Sequence, residues 1–104
     1  MAVAFMFRAG TLDQAGYDGI MKLLDERSGG AWASSPGFIA HMAGADPAGG
    51  WQVVDVWESE DAANGFYGSD AFSAVREGTA DSGLEMTPWP LHRIEVAGPF
   101  SQTT

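Results

Sequence analysis

Midway along the chain, Asp46-Pro47-Ala48-Gly49-Gly50 separates two strand-like runs, residues 38–44 (FIAHMAG) and 51–58 (WQVVDVWE). Proline presets φ for a turn and glycine admits positive φ, so this pentapeptide folds the chain back on itself as a hairpin. A loop of those five residues sets Ala45 opposite Trp51 and therefore His41 opposite Asp55. Facing residues of an antiparallel pair have Cβ atoms about 4.5–5.5 Å apart, within reach of an imidazole–carboxylate hydrogen bond. Slipping the register by one residue would put the two on opposite faces.

The flanking sequence restricts the fold further. Residues 3–8 (VAFMFR) are a continuous apolar run suited to a central strand covered on both faces. Thr11-Leu12-Asp13-Gln14 reads as a capping box, followed by a helix whose apolar stripe is Tyr17, Ile20, Met21 and Leu24. Asp13 near its start and Arg27 near its end suit the helix dipole, and Gly29-Gly30 stops it. Residues 31–37 form a loop with a Ser-Ser-Pro-Gly turn signal. Ser59 caps a helix over 60–67, Gly68-Ser69 breaks it, and Ser69 caps a second helical piece carrying Phe72 and Val75. Pro88 and Pro90 delay the last strand, placed at 91–96, and Pro99 ends it. The order is β-α-β-β-α-β, an α+β ferredoxin-like plait with a four-stranded antiparallel sheet. Right-handed crossovers put the first and third strands in the middle and both helices on one face. Residues 1–100 are expected to form one domain and 101–104 a polar tail. The opposite sheet face is also apolar, and a second sheet is needed to cover it; a homodimer built through the sheet faces is the expected arrangement.

Charge and composition exclude several function classes. Fourteen acidic residues against five basic ones give a net charge of −9, with no basic stripe to engage the phosphates of a nucleic acid. An anionic membrane surface would repel such a chain, and no apolar run approaches the roughly 20 residues that span a bilayer. With no signal-peptide pattern at the N-terminus, a cytoplasmic location is expected. The chain has no cysteine, which removes disulfides, thiolate nucleophiles and cysteine-held metals. Two separated histidines and scattered carboxylates match no standard metal spacing, and no P-loop or dinucleotide motif occurs, so neither metal nor cofactor is expected.

Pro36-Gly37-Phe38-Ile39-Ala40-His41, then Gly50-Trp51-Gln52-Val53-Val54-Asp55-Val56-Trp57-Glu58-Ser59, and later Pro90-Leu91-His92, resemble small actinobacterial proteins of the dimeric α+β-barrel superfamily, in its antibiotic-biosynthesis-monooxygenase branch. That resemblance implies two sheets packed face to face and, in the enzymes, a substrate pocket between each sheet and its own helices. The haem-degrading members use an Asn–Trp–His set; Asn64 is the only asparagine here, so that activity is not carried over. The cyclases pair a tyrosine with a histidine, for which Tyr67 and His92 are possible counterparts.

Two groups of residues are candidates for chemistry. Asp55 would fix the tautomer of His41 and raise its basicity, giving a general base; a satisfied structural pair inside the barrel is the other reading. On the same face the register places Ile39, Ala43, Val53 and Trp57. His92 beside Arg93, with Trp89 just before, forms a second set able to bind and deprotonate a phenolic or enolic group; an exposed edge-strand histidine is the alternative. Trp57, Tyr67, Trp89, Phe66, Phe72, Met21 and Met86 are candidates to line a cavity for a flat aromatic ligand, or else simply fill the core. Three functions follow: a cofactor-independent monooxygenase acting on an aromatic or polyketide-like molecule, an aldol cyclase or isomerase using the same base, or a non-catalytic ligand-binding accessory protein.

Overall fold

A computed structural model describes residues 2–95. Its elements run β1 (Val3–Ala9), α1 (Gln14–Ser28), a 3-10 turn (Trp32–Ser34), β2 (Phe38–Ala45), β3 (Trp51–Trp57), α2 (Glu60–Tyr67), α3 (Ser73–Gly78) and β4 (Leu84–Pro90). The strands form one antiparallel sheet in the order β2-β3-β1-β4, the ferredoxin-like arrangement, with β1 and β3 in the centre as expected.

The hairpin register is the one read from the loop length. Ala45 pairs with Trp51 and His41 with Asp55. The turn is closed by Asp46 N–H to Gly50 O (3.0 Å) and Gly49 N–H to Asp46 O (2.8 Å). Gly50 has φ 84°, and a Cβ there would lie 2.4 Å from the Ala9 carbonyl oxygen, so only glycine fits. The buried Asp46 carboxylate accepts from Ala48 N–H (2.9 Å) and Arg8 Nε (2.9 Å), tying the turn to β1. These bonds, Ala48 first, hold its pKa below the ordinary carboxylate value.

Pleating divides the sheet into two faces. Val3, Phe5 and Phe7 of β1 join Trp57 of β3 and Ala63 of α2 in the buried core, with Phe38, Phe66 and Tyr67 packed against it. Burying these side chains supplies most of the drive to fold, at about 25 cal/mol per Å² of apolar surface. On the other face, Met42 and Trp89 remain 54% and 55% exposed.

Four local expectations are corrected. The N-cap of α1 is Asp13, whose side chain accepts from Gly16 N–H (2.8 Å); Thr11 Oγ1 instead donates to the Asp81 carbonyl, so no capping box forms. A bulge between Phe38 and Ala40 turns Ile39 away from the His41 face, leaving it 39% exposed, and puts Phe38 opposite Trp57. Phe72 precedes α3, which begins at Ser73. The last strand is Leu84–Pro90, and no strand runs through residues 91–95; Val96, Pro99 and the tail lie outside the described residues. The prolines misled because they exclude a strand only where every N–H is needed. β4 is an edge, and Pro88 and Pro90 are two residues apart on it, at positions of the same kind, where an N–H can face away from the ladder.

Candidate functional site

His41 and Asp55 stand on the helix-covered face, where Tyr17 of α1 reaches His41 of β2 and Trp51 of β3. The His41 Nδ1 lies 2.6 Å from Asp55 Oδ1. Carboxylate oxygens only accept, so Nδ1 carries a proton, and in the neutral ring Nε2 presents the lone pair. Tyr17 Oη lies 2.5 Å from Nε2 and donates to it in that neutral form. On its other oxygen, Asp55 accepts from Tyr67 Oη (3.0 Å), which in turn accepts from Trp57 Nε1 (3.0 Å). One continuous chain of hydrogen bonds thus runs Trp57–Tyr67–Asp55–His41–Tyr17. Every donor in it meets an acceptor, which fixes the imidazole in a single tautomer and orientation.

The network lies in an apolar surround. Burial, together with the nearby Asp55 and Asp18 carboxylates, pushes the Tyr17 phenol up to about 12, so it stays a donor at neutral pH. Tyr67 is raised too, by burial first and then by Asp55. Beside the network is a cavity of about 70 Å³. His41, Asp55 and Tyr17 are on its wall, along with Trp32 and Trp51, and Phe7, Met21, Leu24, Phe66 and Phe72 supply much of its apolar lining. The Trp51 Nε1 is buried with no hydrogen-bond partner among the described residues, an unused donor in a residue of the cavity wall. Trp32 sets its edge against the His41 ring (centroids 5.5 Å, 75°), and Tyr17 lies near parallel to it (6.1 Å, 11°).

The expected site residues separate into three groups. His41, Asp55, Met21, Phe66 and Phe72 come together at the cavity. Trp57 and Tyr67 are behind it: Trp57 is 1% exposed and filled in by Phe38, Phe66 and Tyr67, and the Tyr67 hydroxyl is spent on Asp55. They support the His41–Asp55 pair from behind and are not on the cavity wall. His92, Arg93 and Trp89 are not on the cavity wall. Trp89 is on the opposite sheet face, beside Ala4, His92 is exposed beyond the end of β4, and Arg93 pairs with Glu95 in solvent. Met86 is likewise exposed on the edge strand. With the last strand ending at Pro90, the second candidate set has no wall around it.

Tyr17, Trp32 and Trp51 were not anticipated as site residues. Tyr17 had one signal: it is the only hydroxyl-bearing residue on an otherwise aliphatic helix stripe, and a phenol carried into a core requires a partner. Trp32 and Trp51 had none, since both stand at loop edges in the sequence. Among the described residues no group of three or more histidines or carboxylates could hold a metal ion.

The cofactor-independent oxygenase SnoaB from Streptomyces nogalater superposes with a TM-score of 0.68 at 18% identity, over 89% of this chain and 95% of that one. The chain shares its ferredoxin-like fold. A dimeric ferredoxin-like protein of unknown function from Jannaschia sp. CCS1 matches with a TM-score of 0.69 at 10% identity, over 88% of this chain and all of that one. A Caulobacter crescentus protein provisionally assigned as an antibiotic biosynthesis monooxygenase matches at 0.64 and 16% identity, over 90% and 91%. The resemblance read from the hairpin and last segment is therefore met in the fold of antibiotic-biosynthesis-monooxygenase-like structures. No protein-family model matches the chain, and no curated protein matches it by sequence. No described helix is long and apolar enough to cross a membrane.

Proposed function

We propose that this protein is a cofactor-independent enzyme that deprotonates a phenolic or enolic aromatic substrate and lets the resulting anion react with O₂. The observation that carries the reading is the oriented base: His41, locked by Asp55, offers Nε2 through the Tyr17 hydroxyl on the wall of an apolar cavity. A pair serving structure alone needs no lone pair relayed toward a cavity.

Because the Tyr17 proton occupies Nε2, the substrate hydroxyl meets Tyr17 first. Its proton passes to the Tyr17 oxygen while the Tyr17 proton passes to Nε2, and the Asp55 carboxylate stabilises the imidazolium formed. The substrate keeps the electron pair as an enolate or phenolate. Dry apolar walls favour charge close to a fixed donor, and the unpaired Trp51 N–H suits an oxygen of that anion. The anion transfers electrons to O₂ and combines with it; loss of water from the adduct converts an activated CH₂ and O₂ into C=O and H₂O. SnoaB, which shares the fold, is named a cofactor-independent oxygenase, and this supports the choice of O₂ over a purely rearranging reaction.

A second copy of the chain, set against the sheet face that carries Met42 and Trp89, completes the reading as a homodimer; the Jannaschia neighbour is named dimeric.

The test is O₂ uptake with anthrone as substrate. His41→Ala and Asp55→Ala should each lower the rate by at least about 100-fold, the usual scale for losing general-base catalysis. Turnover that persists without O₂ would reassign the same base to a cyclase or isomerase. Rates that His41→Ala leaves unchanged would remove His41 from the chemistry.

A further inference from the structure

The cavity is too small for the ring that the chemistry requires. An engineered apolar cavity of about 150 Å³ holds a single benzene, whereas the space beside His41 is about 70 Å³. A ring reaches Tyr17 only if part of the wall moves. Adjacent to the cavity is an open cleft of about 620 Å³, between the C-terminal end of α1, the 3-10 turn and α2. Trp32 and Phe66 line both spaces, so they form the common wall.

These two residues are not equally free to move. Phe66 is on α2, wedged among Trp57, Tyr67 and Phe72 at ring separations of 5.4–5.7 Å. Trp32 is carried by a three-residue turn just after Gly29 and Gly30, both at positive φ. Its indole N–H donates to the exposed Asp25 carboxylate (2.6 Å), and its ring packs on Phe38 and stands roughly perpendicular to His41. Turning it outward gives up that hydrogen bond and the ring contacts with Phe38 and His41, and opens the side of the cavity beside His41.

The geometry points to Trp32 as a door between two compartments of one substrate site, the reacting ring passing it into the cavity while the rest of the substrate occupies the cleft. This rests on the base-initiated reading of His41. The cleft also tells what kind of molecule it takes. Ala31, Ala62, Ala71 and Gly65 give flat apolar walls, Ser28, Ser35 and Ser69 give hydroxyl oxygens whose protons are donated to the Asp25, Trp32 and Phe66 carbonyls, and the charged side chains are the carboxylates of Glu58 and Asp61. With acceptors and no cation among these polar side chains, the fit is to a neutral fused-ring molecule bearing hydroxyl groups, larger than one ring and without a carboxylate.

Phenol and 1,8-dihydroxyanthraquinone, one ring and three, separate the compartments when binding is followed by stopped-flow quenching of tryptophan fluorescence. Gly65 is exposed on α2 with open space where a Cβ would go, so Gly65→Leu fills the cleft without disturbing the core. It should weaken the three-ring ligand at least about ten-fold and leave phenol within about two-fold. Trp32→Ala should speed association of both several-fold, and Asp25→Ala, which only unlatches the indole, should act in the same direction. Equal anthraquinone affinity in the wild type and Gly65→Leu would overturn the two-compartment site. Association rates unchanged in both Trp32→Ala and Asp25→Ala would overturn the door. Loss of the base reading shows separately, as O₂ uptake insensitive to His41→Ala.

Discussion

Tyr67→Phe deletes one oxygen atom and should cost far more than its size suggests. The hydroxyl donates to Asp55 Oδ2 and accepts from Trp57 Nε1, both at 3.0 Å. A hydrogen bond to a charged acceptor contributes about 1.5–3 kcal/mol, and leaving a buried donor without a partner costs about 1–3 kcal/mol. Trp57 is 1% exposed, so water cannot readily take the missing place. The phenylalanine ring keeps the edge contacts with Phe5 and Phe7, so the packing term is small. Part of the loss is recovered because a phenyl ring is cheaper to bury than a phenol, which leaves about 2–4 kcal/mol. For 104 residues the unfolding entropy is about 0.22 kcal/mol/K, so Tm should fall by about 9–18 °C. Thermal and urea unfolding measure it, and an unchanged m-value shows that the folded and unfolded ensembles have kept their exposure. A double-mutant cycle with Trp57→Phe, which removes the orphaned donor, should return a coupling of about 1 kcal/mol. A fall in Tm below about 2 °C would mean that the Trp57–Tyr67–Asp55 chain is not what holds the His41–Asp55 pair in place.

Other consequences of the structure are as readily measured. The folded pKa of Tyr17 is raised from 10.0 to about 12, so stability is full below about pH 10 and falls as pH rises towards 12, where the unfolded chain releases the proton first. Since Tyr17 is only partly buried, its share is about 1 kcal/mol, and alkaline unfolding of Tyr17→Phe should lose that slope; an identical slope would count against the Tyr17 environment. The pKa of Asp46 is shifted the other way: its contribution is present above 3.8 and is lost as pH falls through the lower folded value, so Asp46→Asn should flatten the acid limb of the stability profile. Gly50→Ala, forced against the Ala9 carbonyl at positive φ, should destabilise by about 2–3 kcal/mol, whereas Gly44→Ala, with open space at its Cβ, should cost under about 1 kcal/mol; urea midpoints compare them. Trp89→Glu should convert the proposed dimer to monomer by light scattering, leaving the far-ultraviolet circular dichroism unaltered, since Trp89 is 55% exposed within one chain.

Much of this architecture was legible from local rules. Asp46–Gly50 set a hairpin length, the length set a register, and the register put His41 across from Asp55, all within 15 residues of chain where sterics and turn chemistry decide. Likewise Ser59 caps α2 and Gly29 ends α1 because the partners are a few residues away. What escaped was set over longer distances. The bulge at Ile39 depends on Phe38 packing against Trp57, and Pro88 and Pro90 are tolerable because β4 turned out to be an edge, a property of the sheet and not of the segment. The sequence alone placed an imidazole and a carboxylate on one face of a hairpin, since a two-residue period is a property of the strand. Only the tertiary structure decided that this face meets α1, that Tyr17 from 24 residues away closes on Nε2, and that Trp32 stands over it, because packing one layer on another is what brings distant side chains within hydrogen-bond reach.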